Sequence, residues 1–241
     1  METTPVSPSI RLGEWMRNQC IFCWGVADLR GFVTPPDEMG RSFASAIAFV
    51  IPVNPAIMAE LPGGPTPAYA EEYRRINVHI DEIGHALAEA IKSGGYPALA
   101  LAASARTSEV EIRGDFPHKT AATRAGLGWI GRHCQLITHN YGSWVRLGTV
   151  FTSMDLPCGP PAERNFCGKC SKCVDACPAK ALTGKAWQPG MPREEILDAR
   201  KCDDWKKEHY PQYRGHLCGI CSAVCPHSIK SGKKGLDHGN K

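Results

Sequence analysis

The feature that most constrains the fold is a run of four cysteines and a proline within twelve residues. Cys167, Cys170, Cys173 and Cys177-Pro178 have the spacing C-x2-C-x2-C-x3-C-P, which is the ligand run of bacterial ferredoxins. Three thiolates on one tight loop reach three irons of one [4Fe-4S] cube, whereas the fourth, at the start of a short helix, points away towards a second cube. The run therefore predicts two clusters.

A second, shortened run supplies the remaining ligands. Cys218, Cys221 and Cys225-Pro226 repeat the spacing without its first cysteine, and Cys202 can take the missing place. The alternative is zinc, which usually needs two C-x2-C pairs or mixtures of Cys and His; two runs that each end in Cys-Pro favour iron and sulfur. In the predicted, crossed ligation, cluster 1 takes Cys167, Cys170, Cys173 and Cys225, and cluster 2 takes Cys177, Cys202, Cys218 and Cys221.

Four further cysteines complete the 12 in this chain of 241 residues. Cys20 and Cys23 form either a redox pair or two small buried residues on an apolar strand. Burial is favoured because free Cys packs as a small hydrophobe, and alternation along a strand would place the two on opposite faces. Cys134 and Cys158 are expected to be buried for the same reason, with Cys158 close enough in sequence to touch the cluster segment.

The chain carries no recognisable export signal. Its first residues, METTPVSPSIRLGEW, lack a positive region followed by an apolar core. The most apolar run, 44–59, is interrupted by Pro52 and Pro55 and is too short to cross a bilayer. These features predict a cytoplasmic protein without a membrane partner. In the reducing cytoplasm, clustered thiols more often bind metal than form disulfides.

Cysteine residues and excess positive charge are both concentrated in the second part of the chain. From Asp155 onward there are 15 Lys and Arg against 10 Asp and Glu, whereas the remainder has 13 against 14. A thiolate-bound cluster is negatively charged, so a basic surround suits it, although a solvated basic face is the alternative. We predict a cofactor and substrate domain over 1–156, a ferredoxin-like double-cluster domain over 157–230 and a flexible tail over 231–241.

The N-terminal part alternates helical and strand patterns, which predicts an α/β domain. One apolar stripe at spacings of 3 and 4 predicts a helix over 73–91 that ends at Gly94-Gly95. Gly126–Gly131 has G-x-G-x-x-G spacing, but it follows a short helix and leads into a strand, so a dinucleotide site is rejected. Further helices are predicted at 7–18 and 118–125, strands at 21–27, 45–53, 97–103, 134–139 and 144–153, and a proline-rich loop at 54–67.

Several motifs resemble one known family. AGLGWIG (125–131), GSWVRLG (142–148) and the two cysteine runs with DARKC (198–202) between them resemble epoxyqueuosine reductase and, more distantly, the corrinoid reductive dehalogenases. The match covers about residues 100–226. The resemblance implies an α/β (α+β) core related to flavin nitroreductases, a C-terminal ferredoxin-like domain with the crossed two-cluster ligation, and a cobalamin in the N-terminal domain. A flavin is the less favoured alternative.

The resemblance also implies where the cobalamin is contacted. Glycines without a Cβ allow a backbone to approach a large flat cofactor. The alternative is that AGLGWIG is only a tight turn before a strand, with Trp129 in the core. The positions expected beside the corrin, or at the interface between the domains, are Gly126, Leu127, Gly128, Trp129, Gly131, Gly142 and Ser143.

The chain departs from the family in its proton donor. The family's aspartate lies in an Asp-Ser-Ala-Pro stretch, and the matching position here is Ile112. Glu111, Asp115 and His118 are the candidate catalytic replacements. Alternatively, His118 approaches cobalt as an axial ligand or bonds backbone at a helix start, and Asp115 is only a helix N-cap.

A second departure concerns tRNA. The family continues into a helical-repeat domain that helps to grip tRNA, whereas this sequence stops about fifteen residues after its last cysteine. We therefore expect a short paralogue that does not act on tRNA: an oxidoreductase passing electrons from two clusters to a cobalamin. Its donor would be a ferredoxin or flavodoxin, and its substrate a small molecule or a corrinoid protein. The alternative is a non-catalytic electron-transfer protein, or a corrinoid-protein activator, that docks a partner through its N-terminal domain.

Overall fold

The computed structural model of the chain describes residues 8–21, 23–213 and 217–228. The predicted tail at 231–241 lies outside these ranges. Within them the chain forms a mixed α/β architecture, which confirms the α/β part of the predicted fold class. The helices are α1 (Pro8–Asn18), α2 (Pro55–Glu60), α3 (Pro67–Ser93), α4 (His118–Arg124), α5 (Lys172–Asp175), α6 (Ala199–His209) and α7 (Ile220–Ala223). The strands are β1 (Trp24–Asp28), β2 (Ser45–Pro52), β3 (Ala98–Leu101), β4 (Gly128–Ile130), β5 (Leu136–Thr138) and β6 (Val145–Thr152).

Four strands form the central sheet, in the order β1-β2-β6-β3, and every neighbouring pair is antiparallel. The β2–β6 pair runs from Ser45 opposite Thr152 to Pro52 opposite Val145. Strands β4 and β5 form a separate two-stranded hairpin. Six strands are thus described, where the sequence suggested about five.

Both faces of β2 are covered, because its side chains alternate between two hydrophobic cores. Ile47 and Phe49 face the first core, which contains the apolar stripe of α3. Val50 faces the second core, which contains the buried residues of α4. A strand with two buried faces needs no polar alternation, which explains the nearly unbroken apolar sequence of β2.

The predicted loop at 54–67 is wrong, because its first half forms α2 and a 3-10 turn follows over Leu61–Gly63. Pro55 occupies the first helical turn, where the missing N–H costs nothing. Asn54 caps the helix by accepting a hydrogen bond from the Ala56 N–H at 2.9 Å. The prolines here start helical turns rather than prevent them.

Two of the cysteine expectations are also wrong. Cys20 is exposed and has a positive φ of 57°, so it lies in a turn before β1 rather than on a strand. Cys158 is exposed as well, whereas Cys134 is buried as expected. The first strand begins only at Trp24.

The cysteine-rich segment packs into the cores of the N-terminal part. Leu217 and Ala223 belong to the first core, and Trp187, Ile196 and Cys225 belong to the second. A smaller third core contains Cys173 and Cys177 and their apolar neighbours. The chain on either side of the predicted boundary at 156 therefore shares its hydrophobic core.

Candidate functional site

The cysteines predicted to hold cluster 1 lie around one small cavity, which is lined by Cys167, Cys170, Cys173 and Cys225. The Cys170 N–H donates to the Cys167 carbonyl at 3.1 Å and closes the turn that presents both thiols. Cys173 follows on α5, and Cys225 lies just after α7. Burial raises the pKa of Cys173 to about 12, and the neighbouring thiols add to this rise.

The cysteines predicted to hold cluster 2 form a second group. Cys218 precedes Gly219, whose left-handed φ of 87° turns the chain into α7 and brings Cys221 next to it. Burial raises the pKa of Cys221, and Cys218, Cys202 and Cys177 are close enough to raise it further. Cys202 comes from α6, so this group joins α6, α7 and the end of the first run.

The donor chemistry of both groups suits iron–sulfur clusters. Buried thiols whose pKa values are raised ionise only when a cation compensates the charge. In the ranges that the structure describes, no three His, Cys, Asp or Glu side chains are placed to hold a single metal ion. A cube differs from a single ion because its four ligands bind four different irons.

Three cavities lie in a row beside these groups. The first cavity, of about 670 Å³, is lined by Phe32, Asp115, His118, Lys119, Arg124 and Trp187 among others. The second, of about 210 Å³, shares His118 and Lys119 with the first and is also lined by Ser143 and Arg146. The third, of about 750 Å³, shares Ser104 with the second and reaches Leu217. The shared residues place the three cavities side by side, and together they are called the groove below.

The third cavity lies beside the cysteines assigned to cluster 2. Leu217, which lines it, directly precedes Cys218. Ser143, which lines the second cavity, is hydrogen bonded at 2.7 Å to Ser222, the residue after Cys221. The groove therefore contacts the chain neighbours of Cys218 and Cys221, namely Leu217 directly and Ser222 through Ser143.

A tyrosine and an arginine dominate the wall of the groove. The Arg146 guanidinium lies 3.9 Å from the ring centroid of Tyr73. The Tyr73 hydroxyl donates to Ser104 Oγ at 3.0 Å, and Arg146 donates to Asn77 Oδ1 at 2.7 Å. Burial alone would raise the pKa of Tyr73, but the Arg146 charge and hydrogen bonds with Ser104, Arg146 and Asn77 lower it overall. The pKa of Tyr73 therefore lies below the ordinary value for a tyrosine.

The three proposed catalytic residues occupy different environments. Asp115 and His118 both line the first cavity. His118 donates through Nε2 to the Ala102 carbonyl at 3.3 Å, so its Nδ1 accepts from the Thr149 hydroxyl at 2.9 Å. Burial lowers the pKa of His118 to about 4, which leaves the ring neutral near pH 7. Glu111 instead pairs with Arg113 on the surface. The catalytic roles of Asp115, His118 and Glu111 stay predictions.

Asp115 does not cap α4, so the helix-cap alternative is wrong. The N-cap position is Pro117, which offers no side-chain hydrogen bond. Lys119, on the first turn of α4, donates to the carbonyl and the Sγ of Cys134 at 2.7 and 3.1 Å. Asp115, just before α4, and His118 and Lys119, in its first turn, therefore line the first cavity.

The AGLGWIG glycines approach protein backbone closely. A Cβ on Gly126 would lie 2.5 Å from the Pro160 carbonyl oxygen, and one on Gly128 would lie 2.0 Å from that of Ile137. Trp129 is buried, with Phe166 and His227 packed edge-on against its ring. Gly126 and Trp129 thus pack against the cysteine-rich segment, whereas Gly128 packs within the hairpin.

Two more of the motif residues lie at the same interface. A Cβ on Gly142 would lie 2.3 Å from Ser228 Cα, and the Ser143 N–H donates to Ser228 Oγ at 2.7 Å. Leu127 packs against the second core, and Gly131 lies against His133 and Ile137. A contact between these residues and a corrin stays a prediction.

Sequence reasoning missed the residues that form the groove wall. Tyr73 appeared only as the first member of an apolar stripe, and Arg146 appeared only within a motif. No local pattern joins them, because α3 and β6 meet only in the folded sheet. His133 was missed as well; it is 2% exposed, and burial, with the charges of Lys119 and His227, lowers its pKa to about 4.

Comparisons with known proteins support the double-cluster segment and the resemblance to one family. Residues 166–228 match the family model described as a 4Fe-4S double cluster binding domain. An epoxyqueuosine reductase from Gloeobacter violaceus is 34% identical over 134 residues, which is 51% of this chain and 39% of that protein. One from Synechococcus sp. strain CC9605 is 38% identical over 126 residues, covering 47% and 36%. The chain thus spans less than half the length of these relatives.

Solved structures share the fold across almost the whole chain. A catabolic reductive dehalogenase bound to 3-bromo-4-hydroxybenzoic acid has a TM-score of 0.70 at 19% identity, covering 94% of this chain and 34% of that one. Epoxyqueuosine reductase from Streptococcus thermophilus has a TM-score of 0.56 at 17% identity, covering 92% and 66%. The chain therefore resembles epoxyqueuosine reductases in sequence and both groups in fold. Among the helices described here, none has the length and apolar character needed to cross a membrane.

Proposed function

We propose that the protein is an iron–sulfur oxidoreductase in which two [4Fe-4S] clusters deliver electrons to a cobalamin that reduces a substrate. The observation that carries the proposal is the position of the second cysteine group, which borders the groove through Leu217 and Ser222. A cluster in that group would be close to whatever occupies the groove. Cys167 and Cys170 of the first group are half-buried, and with the second group next to the groove this arrangement suits a path for electrons into the protein.

The third cavity has the size and the chemistry for part of a cobalamin. Its volume of about 750 Å³ lies within the range of cofactor sites. Its lining combines apolar Ala70, Ala103 and Leu217 with the polar side chains of Asn77 and Gln212. Apolar groups suit a flat macrocycle, and amide groups suit its carboxamides. The nitroreductase-like core belongs to this proposal, with a flavin as the alternative occupant.

When bound, cobalamin would supply low-valent cobalt as the reductant of the substrate. The chain's own contribution is a proton, which reduction of most organic substrates also requires. We assign that role to Tyr73, whose phenol lines the third cavity and is polarised by Arg146. Asp115 and His118 line the first cavity, further along the groove, where they would contact the substrate rather than the corrin.

Electrons would enter at the exposed side of the first cysteine group. Phe166, next to Cys167, is 46% exposed, and Arg164 lies 4.9 Å above its ring. Lys169 and Lys172 flank Cys170 and are exposed. An acidic electron carrier such as a flavodoxin or ferredoxin would be attracted to this basic rim.

A non-catalytic electron-transfer protein is the second candidate, and metal and cofactor analysis separates the two. Anaerobically purified protein, analysed for iron, cobalt and flavin in one sample after growth with cobalamin, is expected to hold about eight irons and to retain cobalt. Iron without retained cobalt or flavin would favour the electron-transfer protein. Fewer than four irons would contradict both candidates.

Two matched variants test which cavity holds the cobalamin. Ala103 lines the third cavity and Ala102 lines the first. We expect Ala103→Phe to abolish retention of added cob(II)alamin through gel filtration, because the new ring fills the cavity. Ala102→Phe should retain it, and both should keep their iron. The opposite pattern would assign the cofactor to the first cavity.

The substrate class needs its own experiment. Relatives include an epoxyqueuosine reductase solved with an epoxyqueuosine-modified tRNA-Tyr stem loop, which is 20% identical to this chain. We propose that this chain acts on a small molecule or a corrinoid protein instead. Expression in a strain that lacks epoxyqueuosine reductase should therefore leave its tRNA without queuosine. Restored queuosine would identify tRNA as the substrate.

A further inference from the structure

Two nitrogen donors beside the first cysteine group have no hydrogen-bond partner in the part of the chain that the structure describes. Arg132 Nε and His133 Nε2 are buried, and neither has a hydrogen-bond partner among the residues described. Both side chains line the same small cavity as Cys167, Cys170, Cys173 and Cys225. Buried N–H groups are almost always hydrogen bonded, so two orphans in one cavity indicate an acceptor there.

The hydrogen bond on the other ring nitrogen of His133 fixes which nitrogen carries the proton. The backbone N–H of Gln135 donates to His133 Nδ1 at 3.1 Å. Nδ1 is therefore the acceptor, and the proton of the neutral ring is on Nε2. His133 is 2% exposed, so bulk solvent does not reach the ring. Nε2–H is a donor with its direction set by the fold.

Arg132 is fixed just as firmly. Its Nη2 donates to the Gly168 carbonyl at 2.7 Å, and its Nη1 donates to the Gly184 carbonyl. Gly168 lies inside the turn between Cys167 and Cys170. The guanidinium is thus held against the cysteine loop, with its Nε–H unpaired and its positive charge next to the cavity.

We infer that His133 Nε2–H and Arg132 Nε–H donate hydrogen bonds to the sulfur atoms of cluster 1 and thereby raise its reduction potential. Hydrogen bonds to cluster and thiolate sulfurs stabilise the added negative charge of the reduced state. This inference rests on the proposed ligation of cluster 1. It concerns how readily the entry cluster accepts an electron, which the two-cluster proposal does not specify.

Removing the His133 donor tests the inference through a potential rather than through activity. In an anaerobic redox titration followed by EPR, His133→Leu should lower the midpoint of one cluster by about 59 mV, a tenfold change in its reduction equilibrium. The other midpoint should not move. His133→Gln keeps an amide donor and an acceptor for the Gln135 N–H, and it should recover part of the shift.

His139→Leu is the matched control, because His139 packs on Trp129 but does not line the cavity. Its two midpoints should equal those of the unchanged protein. Unchanged midpoints in His133→Leu with a full iron content would overturn the inference, as would an equal shift in the control. An unchanged protein without two clusters would instead overturn the proposed ligation.

A second measurement does not depend on the folding of a variant. Pulsed EPR of the reduced, unsubstituted protein labelled with 15N-histidine should show a hyperfine coupling from one ring nitrogen to a cluster, transmitted through the hydrogen bond. His133→Gln should abolish that coupling, and His139→Leu should preserve it. Absence of any histidine coupling in the reduced protein would refute the role of His133.

Discussion

Arg106 and Asp203 form a bidentate ion pair between the loop after β3 and helix α6. The guanidinium nitrogens lie 3.2 and 2.8 Å from the two carboxylate oxygens. Asp203 is 1% exposed and adjoins Cys202, and Lys206 and Lys207 also contact its carboxylate. One buried charge therefore joins the N-terminal part of the chain to α6, the helix that carries Cys202.

We expect Asp203→Asn to lower the free energy of unfolding by about 3 kcal/mol, because removing one partner of a buried pair leaves the other charges uncompensated. Denaturant unfolding of the anaerobic protein with its clusters in place measures the change. The neighbouring Asp204→Asn is the control, since Asp204 is exposed and only 3.9 Å from Arg200; it should change stability by less than about 0.5 kcal/mol. Equal effects of the two variants would contradict a special role for Asp203.

The same carboxylate predicts a pH dependence. Burial alone would raise the pKa of Asp203, but hydrogen bonds from Arg106 and Lys207 hold it well below its ordinary range. A depressed pKa stabilises the folded state above the unfolded pKa of about 4. The stability difference between the unchanged protein and Asp203→Asn should be constant from about pH 8 to 5 and should shrink below about pH 4. A difference that grows on acidification would contradict this assignment.

Arg146 should control the acidity of Tyr73. In Arg146→Gln the pKa of Tyr73 should rise, because the cation that favours the phenolate is lost. The titration of 13Cζ-labelled tyrosine, with Tyr73→Phe to identify the signal, measures the shift. Arg75→Gln is the control, since Arg75 is exposed and paired with Glu72. If Tyr73 titrates identically in both variants, Arg146 does not tune it.

Tyr73→Phe should in turn reduce turnover without removing the metals. Loss of a positioned proton donor costs about 10² to 10⁴ in rate, whereas iron and cobalt contents should not change. Once a substrate is known, single-turnover rates give the test. A variant that loses cobalt along with activity would show that Tyr73 holds the cofactor rather than donates a proton.

Gly128→Ala should destabilise the fold by about 1 to 3 kcal/mol, because its Cβ would overlap the Ile137 carbonyl across the β4–β5 hairpin. Thermal unfolding of the anaerobic protein measures the loss. Gly13→Ala in α1 is the control, since its Cβ would meet no atom closer than 3.7 Å; it should be neutral or stabilising. If the Gly128→Ala protein is fully stable, Gly128 is not required for packing of the hairpin, and a role in contacting the cofactor would be favoured instead.

Charge reversal on the basic rim should slow reduction by an acidic carrier. Lys169→Glu combined with Lys172→Glu is expected to lower the second-order rate of reduction by flavodoxin at least about tenfold at low ionic strength. The effect should fade as salt screens the charges. Lys92→Glu, at the end of α3, should leave the rate unchanged. A salt-independent loss would indicate damage to the cluster instead.

The sequence predicted most of the helices and strands, because spacing and periodicity are local properties, whereas the cluster ligation stays a prediction. The helix of 73–91 and the strand of 45–53 were recognisable since each buries a periodic apolar face. The helix α2 was not predicted because of its proline. Proline is tolerated in the first turn of a helix but disrupts a helix interior, and the sequence alone did not show which position it takes here. The Tyr73–Arg146 pair was not predictable, since it depends on the packing of α3 against β6.

Cys225 takes part in two structures at once. Its side chain is packed in the second hydrophobic core together with Phe151 and Trp187, and it lines the cavity of the first cysteine group. With Cys225 bound to cluster 1, iron loading and the packing of the central sheet would depend on one side chain. In a cell short of iron, the chain would then be partly unfolded and sensitive to proteases, rather than folded but inactive. The supply of iron would therefore set the amount of this protein as well as its activity.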